Sequence, residues 1–249
     1  MRNSFIALGM GLAIAGCITQ VANAQTAETI IKKNTDALKA AKTYQAVILM
    51  TQNLGAQGSM TIRMEAKTAG HKSSIIISPS GKASGAMAAR AATANMTVVN
   101  DGVNTYTYAK ANNSYSKSPS PVTSTMPFDF SKTLDPKSGV KWMLAPAEKV
   151  NGRDSFVLKS EGKPNQVMKS NTTKLYIDKS NYHLIQMKSQ SVMVGGPQGP
   201  VTMSNDLVVQ SEAIDQPIAP SAFIFSPPAG AKLMTGGVGA GMPPKSGKK

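Results

Sequence analysis

The residues that most often carry chemistry are sparse and scattered in this sequence. His71 and His183 stand far apart, with no Glu-x-x-His or Cys pattern beside either. A metal centre needs three or four such ligands at short, defined spacing, so each histidine reads as a surface residue at a strand end. Asp101 and Asp178 could be imagined as a carboxylate pair, but both fall in or beside turn signals, where an Asp side chain has a local reason to accept backbone amides. The many serines include no Gly-x-Ser-x-Gly elbow. Ser84-Gly85 and Gly236-Gly237 lack the Gly-Lys-Ser/Thr continuation of a phosphate loop. This inventory supplies no catalytic residue, no metal ligand and no cofactor site, and it argues for a binding protein rather than an enzyme.

One residue type is in excess. Fifteen Met stand against six Phe and one Trp. Methionine is flexible and polarizable, which suits a cavity that adapts to an acyl chain, although any single Met fills an ordinary core equally well. Transfer of hydrocarbon from water is worth about 0.8 kcal/mol per CH₂ and needs few directional groups. The candidate lining residues are Ile30, Ile31 and Leu38 on a leading helix, and Met60, Ile62, Met64, Tyr106, Tyr108, Ile185 and Met187 on strands.

Those residues need elements to place them. Residues 1–24 read as a signal peptide: Arg2, an apolar run from Phe5 to Ile18, and Ala22-Asn23-Ala24 as the cleavage triplet. The run is too short for a mature transmembrane helix. Ile14-Ala15-Gly16-Cys17 resembles a lipobox, so anchoring through a lipidated Cys17 stands as the alternative to cleavage after Ala24. With cleavage, no cysteine remains and no disulfide is expected. About 225 residues are left, enough for one all-β domain with a sizeable core. The net charge of +14 favours anionic partners such as a membrane surface, while the scattered lysines read as a solvating coat. No recognition-helix, zinc-finger or RNP pattern supports nucleic-acid binding.

Thr26–Lys42 reads as an amphipathic helix, its stripe of Ala27, Ile30, Ile31, Asn34, Leu38 and Ala41 opposed by charged residues. Beyond Thr43 the pattern is of strands and turns. Gln45–Thr51 is apolar on both faces and predicts a strand covered on both sides, and Met60–Glu65 alternates. Asp101-Gly102 separates Met96–Val99 from Val103–Ala109 as a hairpin. Ser114–Lys117, Ser155–Lys159, Lys174–Asp178, His183–Ser189, Ser191–Val194 and Val201–Gln210 follow as strands. Ser84–Ala94 predicts a short second helix, 119–136 a loop with one helical turn, and 235–249 a disordered basic tail. Repeated hairpins predict a mainly β (α+β) meandering antiparallel sheet, curled or partly closed.

Three segments resemble the superfamily of periplasmic outer-membrane lipoprotein carriers, the LolA/LolB-like proteins. Val98-Val99-Asn100-Asp101-Gly102 with Thr105-Tyr106-Thr107-Tyr108 looks like the family's central hairpin. Leu175-Tyr176-Ile177-Asp178 with Leu184-Ile185-Gln186-Met187 is similar to a later one, and Phe223-Ile224-Phe225-Ser226-Pro227-Pro228-Ala229-Gly230-Ala231 to the C-terminal strand. The resemblance implies a strongly curved half-open β-barrel over residues 25–234, with the N-terminal helix and a loop helix as a lid over an apolar cavity. It further implies a monomeric periplasmic carrier for lipoprotein acyl chains or lipids, with membrane-bound donor and acceptor proteins as partners. The family's Arg-Pro pair is replaced here by Glu65-Ala66-Lys67-Thr68, leaving Arg63 or Lys67 as the candidate latch on the lid. Two other readings of the same half-barrel are an envelope-stress sensor and a structural envelope protein without a ligand.

Overall fold

A computed structural model describes residues 25–120, 130–162, 164, 166–194 and 199–234. The expected signal peptide, with Cys17, and the expected tail lie outside the described residues. The chain begins with helix α1 (Ala27–Ala40), whose first turn is capped by Thr26: its hydroxyl accepts the Thr29 amide at 3.2 Å. Glu28 in the first turn and Lys39 in the last both complement the helix dipole.

An N-terminal meander follows: β1 (Thr43–Asn53), β2 (Ser59–Ala69), β3 (Lys72–Pro79), helix α2 (Met87–Thr93), β4 (Met96–Asn100), β5 (Asn104–Ala109) and β6 (Ser114–Pro119). Short 3-10 turns at Ser131–Leu134 and Pro136–Ser138 lead to a second meander. It consists of β7 (Trp142–Val150), β8 (Arg153–Gly162), β9 (Met168–Asp178), β10 (Leu184–Met193) and β11 (Val201–Ile214), and β12 (Lys232–Leu233) is the last strand among the described residues.

The strands form one sheet in the order β12-β6-β5-β4-β3-β2-β1-β11-β10-β9-β8-β7, antiparallel except for β12 against β6. The two meanders meet where β1 pairs with β11, so their joint lies mid-sheet. The edge strands β7 and β12 do not meet, and the sheet is curved and unclosed. α1 buries its stripe in one cluster with residues from β1, β2, β7, β8, β9, β10 and β11. On a flat sheet the six strand spacings from β2 to β7 would measure about 29 Å, whereas a helix of this length is about 21 Å long. The sheet wraps the helix, and the half-open barrel with a helix on its inner side is the observed architecture.

Local chemistry explains the hairpins. Asp101 Oδ1 accepts the amides of Val103 (2.8 Å) and Asn104 (2.7 Å), and Gly102 takes φ +96°. The Asn104 and Val103 amides hold the Asp101 carboxyl below its ordinary range. Between β9 and β10, Asp178 Oδ1 accepts both the amide (2.7 Å) and the hydroxyl (2.6 Å) of Ser180, and Oδ2 accepts Arg153 Nε at 2.6 Å.

Burial alone would raise the Asp178 carboxyl, but the Ser180 hydrogen bonds, and then Arg153, hold it below the usual carboxylate range. A depressed folded value contributes stability that is present above the unfolded carboxylate range and lost as pH falls through the folded value. Asp178→Asn is therefore expected to flatten the acid limb of a stability-versus-pH curve measured by urea denaturation. An acid limb as steep as that of the parent would contradict this role.

Several sequence expectations are corrected. β3 and β7 were not anticipated. In β3, Ile75-Ile76-Ile77 is a bare apolar triplet without alternation; in β7, Pro146 and a register shift between Ala145 and Glu148 break the pattern. The expected strand Ser191–Val194 is not separate: Ser191–Met193 continue β10. β1 is covered on one side: Tyr44, Ala46 and Ile48 are buried, while Val47 and Leu49 on the other face are half-buried. Residues 224–228 form a strap outside the ladder and 229–230 a turn, and only Lys232–Leu233 is strand, because Pro227 and Pro228 lack the amide a ladder needs. His183 is buried at 5% exposure, with Nδ1 2.8 Å from Glu212 Oε2, so it is not a surface residue.

Candidate functional site: the helix-covered face

Strand alternation and register assign every side chain to a face. Leu144, Leu158, Leu175, Met187, Leu207, Met50 and Ile62 are successive cross-strand partners from β7 to β2. They form one apolar row perpendicular to the strands. Beside it runs a second row, Val209, Ile48, Met64, Ile77 and Met96, from β11 to β4. Together they make an apolar band across the inner face, bordered by a polar row in which Gln52 Nε2 donates to Asn205 Oδ1 (3.1 Å) and Asn205 Nδ2 donates to Ser189 Oγ (3.2 Å).

The methionines are concentrated here. Of the nine on described strands, Met50, Met60, Met64, Met96, Met168, Met187, Met193 and Met203 project to the inner face, and Met143 to the outer one. The inward eight are half-buried. A random distribution between two faces would divide them about equally, so the methionine excess belongs to one surface.

α1 covers one part of the band. Ile30 (0% exposed), Ile31 (1%) and Leu38 (2%) pack in the same cluster as Ile48, Leu158, Leu175, Leu207 and Val209. Along this stripe the helix rests on the floor of the half-barrel. α2 covers another part. It contacts β2, where Ile62 on the inner face is buried while the Thr51–Thr61 hydroxyl pair on the outer face is exposed. Met87 and Ala91 are its buried residues.

A polar clasp fixes α1 to the turn before β10. Asn34 Nδ2 donates to the Tyr182 carbonyl at 2.8 Å, and Lys33 Nζ (3.0 Å) and Gln25 Nε2 (3.3 Å) donate to the Tyr182 hydroxyl. Tyr182 adopts φ +62° and stacks on Phe156 with centroids 5.8 Å apart. The Lys33 and then the Gln25 hydrogen bond hold the Tyr182 phenol below its ordinary range. Asn34 Oδ1 is buried and finds no partner among the described residues. Near the other end of the helix, burial and then Glu212 push the Tyr44 phenol up, and Glu212 also meets His183.

Of the sequence-predicted residues, the structure brings Ile30, Ile31, Leu38, Met60, Ile62, Met64 and Met187 to the inner face. It separates three others. Tyr106 and Tyr108 project to the outer face, where Phe225 of the C-terminal strap stacks on Tyr106 at 5.1 Å and lies 6.4 Å from Tyr108. Ile185 joins Val157 and Tyr176 in a small core on that same outer side. The face of Tyr106 and Tyr108 is set by the register of β5 on β4 and of β4 on β3, which no single hairpin encodes. Arg63 and Lys67 alternate with inward Ile62, Met64 and Ala66, so both point outward, and Arg63 Nε is 3.1 Å from Glu65 Oε1. Neither reaches α1, and the contacts that hold the helix are those of Tyr182. Sequence reasoning missed that residue. Its one signal was a tyrosine directly after a turn, opposite a helix stripe interrupted by Asn34.

No family model and no curated protein matches this chain. Solved structures do resemble it. One is an uncharacterized conserved protein from Thermus thermophilus, at 13% identity and TM-score 0.48, covering 84% of this chain and 98% of that one. The Mycobacterium tuberculosis lipoprotein LppX has 10% identity and TM-score 0.43, covering 77% and 96%. A LolA superfamily protein from Nitrosomonas europaea has 12% identity and TM-score 0.35, covering 81% and 99%. At this distance they carry no argument about activity.

Proposed function

We propose that this protein is a carrier that holds the acyl chain of a lipid or lipoprotein on the methionine band of its inner face, α1 moving aside to admit it. The observation that carries this reading is the segregation of eight half-buried methionines onto one face of the sheet, beside a helix that competes for the same floor. The fuller version places the carrier in the periplasm after export, with donor and acceptor membranes as its stations and no catalytic step.

The magnitudes are compatible. Burying Ile30, Ile31 and Leu38 is worth about 5–9 kcal/mol in total, and roughly ten methylenes of an acyl chain would match it. Lifting α1 returns the orphaned Asn34 Oδ1 to water, worth on the order of 1–3 kcal/mol, and breaks the three hydrogen bonds to Tyr182, which cost roughly as much in total. The helix is thus closed at rest and displaceable by a long chain, not by a short one.

Fluorescent fatty acids of graded length test this. Chains longer than about ten carbons are expected to bind, with affinity rising steeply above that length, while shorter ones do not. Met64→Glu, which puts a charge on a half-buried floor position, is expected to weaken the longest probe at least about tenfold while the protein stays folded. Binding that is independent of chain length, or unaffected by Met64→Glu in a folded variant, would rule out the band as the site. Native mass spectrometry of protein purified from its own envelope adds the identity of any co-purifying lipid.

A further inference from the structure

The outer face carries a second arrangement that the apolar band does not use. In register, Lys188 of β10 stands opposite Lys174 of β9, and Lys174 opposite Lys159 of β8. All three alternate with inward residues and so share the outer face. Directly opposed side chains in a sheet sit about 4.5–5.5 Å apart at Cβ, and like charges there are destabilising. The three lysines repel one another along the row, and the row ends on an opposite charge, because Lys188 also stands opposite Asp206 of β11.

Their existing partners are uneven. Lys159 Nζ is 2.7 Å from Glu161 Oε1. Lys174 Nζ reaches Glu148 Oε1 only at 3.5 Å, and Lys188 Nζ lies 5.8 Å above the Tyr176 ring, with no carboxylate within ion-pair distance among the described residues. The ammonium groups of Lys174 and Lys188 line a groove of about 560 Å³, a size that accommodates a small molecule. Its remaining lining is hydroxyl, amide and one carboxylate: Thr51, Thr172, Gln190 and Asp206 among others. The Asp206 carboxylate is already oriented, accepting Gln186 Nε2 at 2.6 Å.

We infer that this groove is a binding site for a phosphorylated sugar, whether free or as the head group of a glycolipid. Lys174 and Lys188 donate to the phosphate, and Asp206, Gln190 and the threonine hydroxyls bond the sugar hydroxyls. An anion alone would leave the Asp206 carboxylate facing it at a cost, and a neutral sugar would offer Lys174 and Lys188 no opposite charge. A ligand bearing both groups meets both demands. Nothing in the site depends on α1 or on the methionine band, and it stands or falls separately from the carrier reading.

Isothermal titration of the full-length protein at low salt with glucose-6-phosphate, glucose and inorganic phosphate tests the inference. The sugar phosphate is expected to bind at least about tenfold more tightly than either glucose or inorganic phosphate, because only it engages both sets of groups. Lys174→Gln combined with Lys188→Gln is expected to abolish that preference in a protein that still unfolds cooperatively. Lys67→Gln, elsewhere on the same face, should bind like the parent. Phosphatidylcholine vesicles carrying a phosphorylated glycolipid then distinguish the sources: competition with the soluble ligand assigns the site to a head group, and its absence to the free molecule. Equal affinity for inorganic phosphate, no measurable binding, or binding that survives the double substitution would overturn the proposal.

Discussion

Ile31→Ala is expected to lower the unfolding free energy by about 2–4 kcal/mol and, in the same protein, to raise the affinity for a long-chain fatty-acid probe. The first effect is the cost of emptying a position that is 1% exposed within the main core. The second follows from competition. The helix stripe and an acyl chain would use the same floor, so whatever loosens the helix increases the fraction of molecules in which that floor is available. Urea denaturation and probe titration on one preparation read both quantities. A loss of stability without a gain in affinity would mean that α1 does not compete with the ligand, and would remove the gating role from the carrier reading. The opposite substitution class makes the contrast sharper. Ile30→Glu buries a charge at a position with 0% exposure, and it is expected to compromise folding itself rather than to tune binding.

Gly58→Ala carries the other large expected effect. A Cβ at Gly58 would lie 2.1 Å from the Ser84 carbonyl oxygen and 2.5 Å from its carbon, at φ +100°. The obstacle is backbone and cannot rotate away. Gly85 mirrors it, its Cβ position falling 2.4 Å from the Gln57 carbonyl oxygen. These two glycines let the turn after β1 and the lead-in to α2 touch main chain to main chain, where the Ser84 amide donates to the Ser59 carbonyl at 2.9 Å. Forcing them apart is expected to cost about 2–4 kcal/mol, several degrees in melting temperature, and to unseat α2 from Ile62. Gly70→Ala is the control. Its φ is +56° with nothing within 4 Å of the added carbon, so only local strain of about 1 kcal/mol is expected. Indistinguishable melting temperatures for the two variants would refute the close approach.

The leading helix, the second helix and most of the strands were legible because their signals are local. Thr26 before an apolar stripe, Asp101-Gly102 between alternating runs, and the Ser84–Ala94 alanine cluster each act within a few residues. The two strands that escaped detection lack such a signal: Ile75-Ile76-Ile77 has no period, and Pro146 interrupts the ladder of β7. The site was legible only in part. Ile30, Ile31, Leu38, Met60, Ile62, Met64 and Met187 could be grouped from period and composition. The assignment of Tyr106, Tyr108 and Ile185 to the same surface failed because period 2 says which residues share a face of one strand, not which face of the sheet lies beneath the helix.

By itself, the chain's amino-acid order determined the periodicities, the turns, the excess of methionine and the absence of familiar catalytic patterns, all of which are properties of neighbours along the backbone. Only the tertiary structure decided that eight methionines share one surface, that the helix rests on that surface through a clasp at Tyr182, and that Lys159, Lys174 and Lys188 form a row. The first two join residues far apart in sequence, and the third depends on the pairing of three consecutive strands. Their adjacency is created by cross-strand register, which the pairing of whole strands sets and no single segment encodes.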